Sequence, residues 1–227
     1  RLTPIAGSAA TSAGNRVERG DDVRMPDVSI GDDGVARCSW DYPAEYRWYH
    51  DDEWGRPVVD EHRIYEKLCL EGFQSGLSWL TILRKRENFR RAFAGFDIEA
   101  VAAFDERDLG RLLGDAGIVR NRGKIEATIA NARAALELRQ SGESLAALIW
   151  QYEPVRTRPP KKFSELPAST AESTALSEDL RKRGFRFVGP TTVYAAMQAL
   201  GVVNDHLAGC ASGAAADAER AALIRPQ

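Results

Sequence analysis

Two Cys/His pairs at opposite ends of the sequence constrain this chain more than any other feature. Cys38 and His50 open the part rich in aromatic and apolar residues, and His206 and Cys210 close it. They use two of the three cysteines and two of the three histidines. If the segment is helical, His206 and Cys210, at i and i+4, share one face. Two thiolates and two neutral imidazoles give Zn²⁺ a full tetrahedral shell without an open position, the pattern of a structural site. A chain ligated in this way must bring its two ends together. The residues leave other readings open. A lone Cys is commonly a small buried hydrophobe, and a lone His is commonly just hydrogen-bonded. The spacing from Cys38 to His50 fits no standard finger. A Cys38–Cys210 disulfide is the competing cross-link, although three cysteines in a chain of this size suit a reducing compartment.

With 227 residues, 44% of them hydrophobic, the chain can bury a substantial core as one domain or two small helical lobes. No apolar run reaches membrane-spanning length, so the reading is a soluble, cytoplasmic protein without a membrane partner. Residues 1–36 differ from the rest, with abundant Gly, Ser, Ala, Pro and Asp and neither Lys nor an aromatic residue. They are expected to form a disordered leader, and without an apolar stretch they do not read as a secretory signal. Residues 37–215 are expected to be the folded domain and 216–227 a tail. The net charge of −2 argues weakly against nucleic acid, but distribution matters more than the sum. Basic residues cluster at Arg84 to Arg86 with Arg90 and Arg91, at Arg120 to Lys124, at Arg156 to Lys162 and at Arg181 to Arg183.

Helical periodicity dominates from Asp60 to Tyr152. Asp60, Ser78, Asp97 and Asp105 are each placed to cap a helix, followed by apolar residues at helical spacing such as Ile64 and Leu68 or Trp79 and Ile82. Lys124 to Leu138 reads as a further helix, and Arg156 to Ser169 as a surface loop. No β alternation is evident, so the expected class is all-α. Ser173 is expected to cap a helix that stops at Gly184, and Thr191 or Thr192 a second helix after the turn Phe185 to Pro190. This is a helix–hairpin–helix. Gly189 permits close backbone approach, and the next helix N-terminus offers free N–H groups to a phosphate. An ordinary αα-hairpin has the same outline.

Trp40, Tyr42, Tyr46, Trp48, Tyr49 and Trp54 concentrate aromatic rings beside the first Cys/His pair. Some belong to a core, and such a group can also wall a pocket for a flat, cationic base. Glu71 ends an apolar helix face before Gly72 and Gly76, an unusual setting for a merely solvated acid, and a helix-capping or salt-bridged Glu is the alternative to a functional one. Tyr49 to Gly55, Leu70 to Trp79, Lys85 to Phe89, Asp115 to Ile125 and Lys182 to Gly189 together resemble the 3-methyladenine DNA glycosylase I family of bacterial alkylation-repair enzymes. The resemblance covers residues 38 to 210.

The resemblance implies an all-α helix–hairpin–helix glycosylase fold in which one structural Zn²⁺, on Cys38, His50, His206 and Cys210, ties the termini together. It implies that Glu71 contacts the lesion base, that Tyr49 and Trp79 stack on it, and that Trp40, Tyr46 and Trp54 lie near the pocket. Asp51 is shared as well. The implied partner is double-stranded alkylated DNA, with 3-methyladenine as the released product and the enzyme acting as a cytoplasmic, nucleoid-associated monomer. Gly189, Thr191 and Thr192 would hold the DNA backbone of a nucleotide flipped out of the duplex. Asp205, near the place where related hairpin glycosylases carry an Asp, is a candidate to stabilise the sugar cation. Pro190, Thr191 and Thr192 follow Gly189 where strand-cleaving relatives carry a Schiff-base Lys, so a monofunctional enzyme is expected. A non-catalytic damage-binding protein is the alternative. A zinc deaminase is disfavoured because neither His-x-Glu nor Pro-Cys-x-x-Cys occurs.

Overall fold

The computed structural model describes residues 27–40, 43–155 and 158–227. Most of the leader, residues 1–26, lies outside the described residues, as do Tyr42, Arg156 and Thr157. Two short strands, β1 (Val28–Ile30) and β2 (Ala36–Cys38), pair antiparallel ahead of the helices. This corrects two expectations: the fold is mostly helical rather than purely α, and order begins inside the stretch assigned to the leader. Three-residue strands carry too little alternation to be read from sequence. Ten α-helices follow among the described residues: α1 (Ala44–Asp52), α2 (Glu61–Gln74), α3 (Trp79–Ala92), α4 (Ile98–Ala102), α5 (Glu106–Gly114), α6 (Arg122–Gln140), α7 (Leu145–Trp150), α8 (Ala171–Lys182), α9 (Pro190–Ala199) and α10 (Ala211–Ala222). None is long and apolar enough to cross a membrane.

Helix α2 is the centre of the molecule. Asp60 caps it by accepting the Arg63 N–H, and every residue from Ile64 to Phe73 is buried. A helix buried on all sides must be surrounded by other elements, and α3, α6, α7 and α9 pack around this one. Phe73, Phe89, Phe93 and Phe96 form a run of rings along it, from Phe73 near its C-terminal end to Phe96, which meets Tyr65 nearer its start. Ser78, Asp97 and Asp105 cap α3, α4 and α5 as expected.

The hairpin pairs α8 with α9. Two caps differ from expectation. Thr170 is the N-cap of α8, and Ser173 is its reciprocal partner three residues later in a capping box. Gly189 is the N-cap of α9, with Pro190 in the first helical position, so Thr191 and Thr192 lie inside the first turn. In both cases more than one cap-capable residue lies within the first turn, so spacing alone does not choose among them. Gly184 ends α8 at φ +89°, a conformation open to residues without a Cβ. Helix α10 runs across the expected boundary at residue 216, and Arg220 and Arg225 beyond it pair with Glu153, so the tail is joined to the body.

Candidate functional site

The two ends of the chain meet as the Cys/His pairs require. Cys38 at the end of β2, His50 in α1, and His206 and Cys210 just before α10 are all buried, with their ligand atoms within 4.8 Å of one another. The loop before α10, rather than a helix, carries His206 and Cys210; Cys210 is the N-cap of that helix. Both sulfurs are free thiols, so no disulfide joins them. Cys210 Sγ lies 3.5 Å from His206 Nδ1 and 3.7 Å from His50 Nε2, and Cys38 Sγ lies 3.9 Å from His206 Nδ1. Ligand atoms on a tetrahedral ion with ordinary bond lengths would be separated by about 3.3–3.8 Å.

The surroundings suit the same use. His206 Nε2 is 3.0 Å from the Trp54 carbonyl, which can only accept, so this nitrogen carries the proton and Nδ1 presents a lone pair to the sulfurs. His50 Nδ1 is 2.8 Å from Asp51 Oδ1, which leaves Nε2 facing Cys210. Asp51 in turn accepts from Arg37 Nε. A carboxylate or carbonyl behind each imidazole is the usual second layer of a metal site. The donor set therefore fits a metal ion. Gly55, at φ +78°, makes room for the His206 ring: a Cβ there would lie 3.1 Å from it.

Beside the cluster lies a cavity of 280 Å³ whose wall includes Trp40, Tyr46, Tyr49, Trp54, Glu71 and Trp79. All six aromatic and acidic residues expected at a base site are thus brought together from α1, the turn after it, α2, α3 and the segment after β2. Tyr49 and Trp79 rings are 5.2 Å apart at 44°. Trp40 is shared between the two sites. It stands edge-on to His50 at 4.9 Å and to Trp54 at 4.5 Å. Trp54 in turn meets His206 at 4.7 Å. The cluster therefore buttresses one wall of the cavity.

Glu71 makes no hydrogen bond or ion pair with any described residue. Burial pushes its carboxyl up to about 8, and Lys67 one turn earlier opposes this only weakly. Lys67 is committed elsewhere. Its Nζ donates to Glu53 Oε1 at 2.6 Å, and Arg86 Nη1 donates to Glu53 Oε2 at 2.7 Å. Burial works against the ionised Glu53, but the two cations overcome it and hold its carboxyl down at about 2. Two buried carboxyls in the same region therefore have opposite character, one neutralised by salt bridges and one left poised.

Sequence reasoning did not find Glu53, Lys67 or Gln198. Gln198, one residue from the end of the apolar helix α9, lines the cavity. A polar residue interrupting such a helix is the signal that could have found it. Asp205 is placed behind Gln198 rather than on the cavity wall: its Oδ2 accepts from Gln198 Nε2 and from the Tyr194 hydroxyl, both at 2.6 Å. Gly189, Thr191 and Thr192 are together at the N-terminus of α9, where Thr191 is exposed.

A helical chain with a hairpin, a buried and unpaired carboxyl and a ring-walled cavity belongs to the class of proteins built to hold a flat ring. The family model for methyladenine glycosylase matches residues 40–213, and the chain belongs to that family. It is 51% identical over 180 residues to DNA-3-methyladenine glycosylase 1 of Escherichia coli, covering 78% of this chain and 96% of that protein. Identity to the DNA-3-methyladenine glycosylase of Haemophilus influenzae is 43% over 180 residues, with 78% and 97% covered. A crystal structure of a 3-methyladenine DNA glycosylase I superposes with a TM-score of 0.75 at 48% identity, covering 77% of this chain and 98% of that one. The Staphylococcus aureus enzyme, solved to show how 3-methyladenine is recognised, gives 0.72 at 35% identity, with 75% and 92% covered.

Proposed function

We propose that this protein is a monofunctional DNA glycosylase that removes 3-methyladenine from alkylated double-stranded DNA. The observation that carries the reading is Glu71, buried and unpartnered in a cavity walled by aromatic rings, on a chain whose relatives are named for that base. The target bond lies inside the duplex, so the nucleotide must be turned out into the cavity. Gly189 and the free N–H groups at the start of α9 grip the backbone, with the hydroxyls of Thr191 and Thr192 beside them.

Methylation at N3 makes the base a cation. Its C1′–N9 bond breaks with the electron pair passing to the ring, which leaves as neutral 3-methyladenine. Water adds its oxygen to the sugar C1′ and releases a proton. Because the leaving group is already charged, no strong acid is needed. Tyr49 and Trp79 supply stacking and cation–π attraction. A cation arriving beside Glu71 favours its carboxylate form, which then accepts hydrogen bonds from the base. Asp205 acts on the site through Gln198, which it orients. The turn supplies no amine after Gly189, so the strand is left intact.

Cys38, His50, His206 and Cys210 would hold one Zn²⁺. A four-ligand shell leaves the ion no position for substrate, and its contribution is to cross-link the wall bearing Trp40 and Trp54 to the end of the chain. The test is chromatographic: 3-methyladenine released from methylated duplex DNA by the wild type, above a heat-depurination control, and far less by Glu71→Gln. Release no greater than the control by the wild type would overturn the reading.

A further inference from the structure

One face of α6 carries a buried polar seam that the base-release chemistry does not use. Lys124, Thr128 and Asn131 are each at least nine-tenths buried and follow one another at helical spacing. At one end Lys124 Nζ donates to the Phe73 carbonyl at 2.9 Å and the Ser75 carbonyl at 2.5 Å, holding the end of α2 just past Glu71. At the other end Asn131 holds the hairpin turn in both directions: its Oδ1 accepts the Arg186 N–H at 2.7 Å and its Nδ2 donates to the Arg186 carbonyl at 3.1 Å.

Phe187 closes the gap between these two ends. It sits in the hairpin turn at φ +56°, a strained conformation for a residue with a Cβ. Its side chain lies against two glycines. A Cβ on Gly72, the neighbour of Glu71, would be 3.4 Å from Phe187 Cβ, and one on Gly123, the neighbour of Lys124, would be 3.8 Å from its Cζ. Phe187 is 41% exposed, so burying apolar surface does not by itself account for the strain.

We propose that Phe187 is a positioning residue, acting with Lys124 and Asn131, through which the seating of the hairpin on the DNA backbone sets the end of the Glu71 helix. The hairpin turn cannot shift without moving Gly72. The proposal rests on the glycosylase reading and adds to it a mechanical connection between grip and pocket.

Phe187→Gly separates this role from a structural one, because glycine adopts φ +56° freely and removes only the wedge. The variant is expected to melt within a few degrees of the wild type, because relief of the strain at φ +56° offsets the lost packing and the added freedom of the unfolded chain, and to bind abasic duplex DNA within about threefold of it. Its single-turnover release of 3-methyladenine should fall about tenfold or more, a loss of transition-state positioning. Phe187→Leu, which keeps a wedge, should recover most of the rate. Lys124→Met should slow release in the same direction, and the double variant should be no slower than the slower single one, since both act on the same end of α2. Unchanged release by Phe187→Gly, a loss of rate matched by a loss of DNA affinity, or a clear drop in melting temperature would overturn the proposal. If the wild type itself released no base, the glycosylase reading would fail first and this link with it.

Discussion

Glu71 and Glu53 show how little a residue's identity says about its charge. Both are buried acids near the cavity, but Glu53 faces Lys67 and Arg86 whereas Glu71 faces rings. Folding therefore has opposite effects on their protons. Glu71 moves from an ordinary 4.5 to about 8, so the folded state holds more protons than the unfolded state between those values. Stability attributable to this group is intact below about pH 4.5 and is lost as pH rises toward 8. Glu71→Gln removes that loss. The variant should gain on the wild type in thermal melts as pH is raised from 5 to 9, by on the order of 2 kcal/mol at the upper end, while base release collapses. A variant that melts lower than the wild type at pH 9 would show that Glu71 is held by contacts absent from this structure. Stability and activity moving in opposite directions is the mark of a functional residue kept at a cost.

At the scale of elements, α9 begins without a side-chain cap, which leaves its first N–H groups open. Gly189 caps it without a side chain, and Pro190 takes the position where a missing N–H does no harm. A Cβ on Gly189 would meet only Arg181 Nη2, at an ordinary 3.6 Å. Asp is a better N-cap than Gly, so Gly189→Asp should leave the melting temperature unchanged or slightly higher. It also puts a negative charge where a phosphate would sit. Binding should weaken at least tenfold on lesion-bearing and undamaged duplexes alike, as read by titration at fixed salt. A loss confined to lesion DNA would move the role of Gly189 from the backbone to the base. The caps on α2, α3, α4 and α5 were legible in the sequence because an isolated Asp or Ser preceded each apolar run. The caps on α8 and α9 were not, because Thr170 competes with Ser173, and Gly189 with Thr191 and Thr192.

For the whole molecule, the Cys/His cluster closes a loop that includes nearly every helix, and both of its histidines lean on the pocket wall through Trp40 and Trp54. If the cluster holds the proposed Zn²⁺, Cys210→Ala should lower bound zinc to well under one per chain and cost a few kcal/mol of stability, since loss of one ligand would weaken the cross-link made by the others. Activity at a temperature where the variant remains folded should keep its preference among bases. A changed preference would place the cluster in recognition. Chelation of the wild type should reproduce the loss of stability and be reversed by added Zn²⁺.

The sequence by itself determined the helical periodicity, most of the caps and the scarce Cys/His pairs at the two ends, while the placing of the aromatic residues around Glu71 came from the family resemblance. Each depends on neighbours along the chain or on residue types scarce enough to name their own partners. Only the tertiary structure decided that Asp205 stands behind Gln198, that Lys67 serves Glu53 and leaves Glu71 unpaired, and that Phe187 lies between Gly72 and Gly123. The physical reason is that a side chain's charge and partners follow from what the folded chain brings within a few ångströms, and such pairings, whether 7 residues apart as for Gln198 and Asp205 or 14 as for Glu53 and Lys67, leave no periodic trace in the sequence.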